Sequence, residues 1–130
     1  MHSFDIRVYY EDTDLAGIVY YANYLKFIER ARTEFVRSLG VDQVALKRDR
    51  GIVFAVRRVE ADYISAGKFD DLLTVETSVI RTTGARIELG QDVRRGDEIL
   101  FTSQITLVAL RDSGSPTRIP ADIRSMLQPV

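Results

Sequence analysis

An alternation of one helical stripe with several strand-like segments predicts an α+β chain, an antiparallel sheet packed on one long helix. Three observations carry this. Over residues 22–39, Tyr24, Phe27, Ile28, Ala31, Phe35 and Leu39 recur at steps of three and four, with Leu25 and Val36 widening the apolar stripe. From residue 52 onward the chain alternates apolar and polar positions in segments separated by Gly67, Thr83-Gly84 and Arg95-Gly96-Asp97. And 130 residues with no repeat, low-complexity tract or linker make a single domain, 1–130, long enough to bury its own core.

In chain order, residues 5–10 read as a half-buried strand with Phe4, Ile6, Val8 and Tyr10 alternating. The long helix follows, its outer face carrying Lys26, Glu29, Arg30, Thr33, Glu34 and Arg37, with Arg30 and Glu34 at ion-pair spacing and Gly40 expected as its cap. Residues 41–50 are polar and mixed, read either as a short helix or as an irregular crossing to the sheet. Residues 52–66 form a strand with Val53, Ala55, Val59, Ala61 and Tyr63 on one face. Residues 72–82, 85–94 and 99–111 are then three strands joined by tight turns, an antiparallel meander. A loop rich in Ser, Gly and Pro follows at 112–117, and Pro120 starts a short helix over 121–127. The second sheet face and the sheet edges call for a covering partner, so a homo-oligomer is expected.

Composition narrows the chemistry. A net charge of -1 gives no electrostatic footprint for nucleic acid, and no segment approaches a membrane span. Arg57-Arg58 and Arg94-Arg95 read as solvated strand residues. Cysteine is absent, and the one histidine, His2, stands beside an N-terminus expected to fray. Thiolate sites, histidine bases and Ser-His-Asp triads are therefore excluded, and carboxylates must do any proton work. The opening M-H-S-F-D-I-R lacks the regions of a signal peptide, from which a cytoplasmic location is expected.

The stretch 8–24, V-Y-Y-E-D-T-D-L-A-G-I-V-Y-Y-A-N-Y, places a compact acidic turn (Glu11, Asp12, Asp14) and Gly17 just before the helix. A helix start offers unpaired N–H groups and the positive dipole end, so an acid beside it suits attack on a carbonyl or thioester. Three other readings compete. Taken alone, the acids read by default as a solvated, helix-capping turn. A calcium loop fits at Asp12, Asp14 and Gly17 but fails at Ala16 and Asn23, so no metal site is expected. A phosphate loop ending at Gly67-Lys68 fails at Asp62 and Phe69. Tyr24 belongs to the core stripe, and Asn23 reads as a cap or a loop-orienting residue.

The run Y-Y-E-D-T-D-x-x-G-x-V-Y-x-A-N-Y-L, continued by F-x-E-R-A-R-T-E and a glycine at the helix end, resembles the hotdog-fold acyl-CoA thioesterases of the 4-hydroxybenzoyl-CoA thioesterase class, in particular the YbgC-like, Tol-Pal-associated branch. The match covers residues 8–40, and the remaining strand order agrees with the hotdog topology. The resemblance implies that Asp14 is the catalytic aspartate and that the backbone N–H of Tyr21 polarises the thioester carbonyl. It implies that Gly17 lets the loop approach the substrate. That branch usually has histidine where this chain has Tyr21; a backbone donor survives the exchange and an imidazole role does not.

Tyr20 and Asn23 are further candidates for substrate binding, and Arg81 and Arg86, flanking the Thr83-Gly84 turn, for the coenzyme A phosphates at a subunit boundary. A plain solvated hairpin is the alternative for those arginines. The expected activity is hydrolysis of an acyl-CoA to free acid and coenzyme A, by a dimer or homotetramer and without a cofactor, coenzyme A being part of the substrate. Acyl carrier protein is the alternative carrier. The competing class is a non-catalytic hotdog protein that binds or scaffolds acyl-CoA or acyl carrier protein.

Overall fold

A computed structural model describes residues 1–129 as one antiparallel sheet wrapped on a long helix. The elements run β1 (His2–Arg7), a 3-10 turn (Tyr10–Asp12), α1 (Asn23–Ser38), α2 (Gln43–Arg50), β2 (Ile52–Tyr63), β3 (Leu72–Thr82), β4 (Ile87–Arg95), β5 (Glu98–Arg111), β6 (Pro116–Thr117) and α3 (Ala121–Met126). The spatial order is β1-β3-β4-β5-β2, all antiparallel, with β6 pairing β5 beyond the point where β4 ends. The expected meander is β3-β4-β5, and the long helix is one residue shorter at each end than its spacing suggests.

Sixteen residues give α1 a length of about 24 Å. Tyr24, Phe27, Ile28, Ala31, Phe35 and Val36 are buried against Val8, Leu73, Val75, Ile87, Leu89, Val93, Phe101 and Ile105. Leu25 instead turns outward, 41% exposed. At the middle of the helix, Gln91 of β4 is fully buried and hydrogen-bonded throughout. Its amide donates to Ile28 O (2.8 Å) and Thr77 Oγ1 (2.9 Å), and its own oxygen accepts from Arg32 (3.3 Å). A buried amide with every group satisfied fixes how the helix is rotated on the sheet, which apolar contacts alone would leave looser.

The ambiguous segment after α1 is a helix because both its ends are specified. Asp42 caps it by accepting from the Ala45 N–H (3.0 Å), and Gly51 leaves it in the left-handed conformation, φ 63°. At α1 the capping residue is Leu39 and Gly40 follows with φ 89°.

Several expectations need correction. The N-terminus is held, since His2 pairs with Thr77 and packs its ring 5.7 Å from that of Phe35. Tyr10 leaves the strand for the 3-10 turn. In β2 a bulge at Arg57 shifts the register, so Phe54 and Val56 share a face with Val59, Ala61 and Tyr63, and Val53 and Ala55 do not. Arg57 at an apolar parity position was the visible sign. Glu34 pairs with Arg37 rather than Arg30. Arg94 bonds Glu76, and Arg95 bonds Asp71 and Glu98.

The sheet face turned away from α1 is polar, with rows such as Glu76-Asp92-Thr102-Asp62 and Arg81-Glu88-Thr106-Arg58. It needs no cover. The sheet ends on the short β1 at one side and on β2, a strand of 12 residues, at the other. The helix α1 lies over β1, β3 and β4, and α2 over β2, yet Val56, Val59 and Tyr63 remain 43%, 41% and 49% exposed.

Two substitutions test this packing. Phe27→Ala should cost about 3–5 kcal/mol in chemical denaturation. Asp42→Ala, which removes only a cap, should cost about 1 kcal/mol.

Candidate active site

The acidic stretch folds as a hairpin leading directly into α1. Asp14 N–H donates to Ile18 O (2.9 Å), Thr13 bridges Val19, and Tyr20 N–H donates to Asp12 O (2.8 Å). Gly17 closes the tip, donating to Asp14 O (3.0 Å) with φ +77°. No atom lies within 4 Å of where its Cβ would stand, so the backbone conformation rather than crowding requires glycine.

The acids divide by environment. Asp12 is buried, taking the Tyr9 N–H on one oxygen (2.8 Å) and the Asn23 amide on the other (3.0 Å). Asn23 is itself buried and its amide orients the loop by holding Asp12; Ala22 rather than Asn23 occupies the N-cap, and a side chain so enclosed offers no open surface to substrate. Asp14 is exposed. Its Oδ1 accepts from the Ala16 N–H (2.9 Å), and Oδ2 has no protein partner among the described residues. One oxygen is thus held and the other is free.

A second loop clamps this hairpin. Val19 N–H donates to Gly67 O (2.8 Å), Ile18 bridges Lys68, Val8 N–H donates to Asp71 O (2.9 Å) and Asp70 N–H to Val8 O (2.9 Å). Asp70 adopts φ 70°, rare for a non-glycine residue, with its carbonyl accepting from Arg7 (2.7 Å). Gly67 is a close approach, because a Cβ would meet Val19 Cγ2 at 3.1 Å and the Tyr24 hydroxyl at 3.3 Å. Its N–H donates to that hydroxyl (3.0 Å), and burial pushes the Tyr24 phenol up. Arg95 bonds Asp71 at 2.7 Å. Burial raises the Asp71 carboxyl, but Arg95 and the Lys68 N–H outweigh it and hold the group below its ordinary value.

The helix entry is unusually open. Tyr20 to Asn23 is a turn closed by Asn23 N–H donating to Tyr20 O (2.8 Å), and Ala22 occupies the N-cap with no side chain able to accept a first-turn N–H. Among the described residues the N–H groups of Tyr21 and Ala22 find no acceptor. The Tyr21 carbonyl accepts from the Tyr63 hydroxyl (2.9 Å). Tyr20 and Tyr21 present their rings to solvent, 4.9 Å apart, and Tyr21 pushes the Tyr20 phenol up. An exposed aromatic floor therefore adjoins two free amides at the positive end of a 16-residue helix.

Within one chain Asp14, Gly17, Tyr20 and Tyr21 share a hairpin and the turn that follows it. Arg81 and Arg86 do not join them. Arg81 sits at the far end of β3, about 30 Å along the strand from Leu72, which adjoins the clamping loop, and Arg86 lies across the turn from it, just before β4. There the Thr83-Gly84 turn is packed by two arginines that sequence reasoning missed. A Cβ on Gly84 would lie 2.0 Å from Arg118 Nη2 and 3.1 Å from Arg124 Nη1. Arg118 and Arg124 are distant from the turn in sequence, so spacing carries no sign of them; the same holds for Tyr63, Gly67 and the Asp71–Arg95 pair.

This architecture has relatives. Residues 16–102 match the thioesterase superfamily profile. The chain is 42% identical over 125 residues to "Acyl-CoA thioesterase YbgC" of Haemophilus influenzae, covering 95% of this chain and 91% of that protein. Among solved structures, a probable thioesterase from Bartonella henselae superposes with a TM-score of 0.88 at 37% identity, covering 92% of this chain and 98% of that one. A mutant 4-hydroxybenzoyl CoA thioesterase complexed with 4-hydroxybenzoyl CoA superposes with a TM-score of 0.91 at 23% identity over 97% of each, a likeness of fold. A hotdog sheet around one helix, with sequence identity across nearly its whole length, places this chain in the thioesterase superfamily.

Proposed function

We propose that the protein hydrolyses acyl-CoA thioesters to free acids and coenzyme A, as the name of the Haemophilus influenzae relative states for that protein. The observation that carries the reading is Asp14: a carboxylate with one oxygen pinned and one free, on a hairpin whose return strand runs into a helix entry with open N–H groups. The thioester oxygen takes the Tyr21 N–H, which is worth most where charge develops in the transition state. The free oxygen of Asp14 then acts in one of two ways. It attacks the carbonyl, expelling the thiolate and leaving a mixed anhydride that water cleaves; or it takes a proton from water, whose oxygen attacks while the thiolate leaves and is protonated. Neither route needs thiol or imidazole, consistent with a chain that has no cysteine and one histidine, His2, packed on Phe35 far along α1.

The working unit in this reading is a homo-oligomer. The unpaired edge of β2 and its uncovered residues Val56, Val59 and Tyr63 offer a face for a second copy. Arg81 and Arg86, joined by Arg118 and Arg124, stand too far along β3 to serve the same chain's Asp14, so they would meet the phosphates of coenzyme A bound at a neighbour's hairpin. Acyl carrier protein would be an alternative carrier at the same entrance. No helix among the described residues is long and apolar enough to cross a membrane, and a cytoplasmic location fits a coenzyme A substrate.

Asp14→Asn keeps the shape of the side chain and removes its charge, so turnover in a thiol-release assay should fall at least about 10²-fold with the fold intact. Full activity would end the assignment, and acyl-CoA binding without thiol release by the native protein would favour the scaffolding alternative. In single-turnover hydrolysis in ¹⁸O water, an anhydride that water cleaves at the Asp14 carboxyl carbon leaves label in that carboxylate, whereas direct water attack on the thioester places the label in the product. Val59→Asp should shift light-scattering mass toward the single chain and abolish activity with it.

A further inference from the structure

We propose that Tyr63 is a positioning residue for thioester hydrolysis, its hydroxyl locking the helix-entry turn that presents the Tyr21 and Ala22 amides. The inference rests on the proposed hydrolase reading and assigns to β2 a part in it.

The argument begins with what the entry turn lacks. A helix start is ordinarily held by a Ser, Thr, Asn or Asp side chain that accepts first-turn N–H groups. Ala22 cannot do this, and the absence of a cap is what leaves amides free for a ligand oxygen. A turn without a cap must be held by other means if those amides are to be preorganised. Asn23, one residue further on, is tied to the buried Asp12 (3.0 Å), which anchors the helix side. The peptide linking Tyr21 to Ala22 carries the Ala22 N–H at one end and the Tyr21 carbonyl at the other. The Tyr63 hydroxyl of β2 donates to that carbonyl at 2.9 Å and ties the peptide to the sheet.

That bond has two effects. It fixes the plane of the Tyr21–Ala22 peptide, which pins the Ala22 N–H and, through the Tyr21 Cα, steadies the adjoining Tyr21 N–H that takes the thioester oxygen in the proposed mechanism. It also withdraws electron density through the carbonyl, making the N–H at the other end of the same amide a stronger donor. The ring of Tyr63 is itself braced, edge-on to Phe101 at 5.1 Å, to Tyr24 at 5.6 Å and to Tyr21 at 6.2 Å. Burial first, and then the phenols of Tyr21 and Tyr24, push the Tyr63 phenol above its ordinary value, so it remains a donor throughout the neutral range.

Tyr63→Phe tests this by removing one oxygen and leaving every ring contact in place. In a steady-state assay with an acyl-CoA, kcat should fall about tenfold with KM within about twofold of the native value. Phe101→Leu loosens the same aromatic cluster but keeps the hydroxyl, and should retain a kcat within about threefold. Three results overturn the proposal: an unchanged kcat in Tyr63→Phe, a rise confined to KM, which would make Tyr63 merely a wall of the acyl slot, or equal losses in both variants, which would assign the effect to packing. Asp14→Asn run in parallel separates the two claims. If Asp14→Asn stays active while Tyr63→Phe loses its tenfold, the carboxylate assignment fails and the positioning role stands. If Asp14→Asn is inactive and Tyr63→Phe is fully active, only the positioning role falls.

Discussion

The backbone pairing between the Asp12–Tyr20 hairpin and the loop at 66–71 is the constraint on which the site depends. A nine-residue hairpin cannot hold its own geometry in water, because few of its side chains reach the core. Here Val19 and Val8 are buried, and the Gly67, Asp70 and Asp71 main-chain groups satisfy the amides around them. The pairing brings Gly67 so close that a Cβ there would crowd the Val19 and Tyr24 side chains, and it is braced from behind by Arg95 on Asp71. Through this strut the position of an exposed carboxylate is set by β4 and β3, elements that never touch it.

Two kinds of polar interaction are layered on the apolar core. Gln91 and Asp12 are buried, fully bonded, and fix one element relative to another: the helix on the sheet in the first case, the hairpin on the helix in the second. Unsatisfied, either group would cost on the order of 1–3 kcal/mol, which is why such residues specify one arrangement more than they add stability. The outer sheet face instead carries partly exposed pairs such as Arg94 with Glu76, still within reach of water, which screens their attraction. Their contribution is to keep that face wet.

Much of this was legible in the chain itself. The stripe of α1, the three-strand meander and the acid-before-helix arrangement are local patterns, and local patterns survive folding. Where sequence reasoning failed, it failed for nonlocal reasons. The bulge at Arg57 inverts the parity of half of β2; a charged residue on the apolar parity marks the spot, but alternation by itself does not say that the register slips there. Asn23 looked available for a ligand because its partner Asp12 lies 11 residues back, turned inward. Tyr63 and Tyr21 are 42 residues apart, and Gly84 meets Arg118 and Arg124 from the C-terminal segment. Such contacts are products of topology, and residue spacing does not encode them.

The long terminal strand β2 also bears on how the newly made chain survives at high concentration. Twelve residues of open ladder are a template onto which any extended polypeptide can add, and a nascent chain is at risk of precipitating through it. Its outward residues Arg57, Arg58, Glu60 and Asp62 place charge along that ladder, and the bulge twists it out of line. The same strand thus carries its own guard against indiscriminate pairing, which makes neutralising those four charges a poor choice for anyone seeking high-level production of the protein.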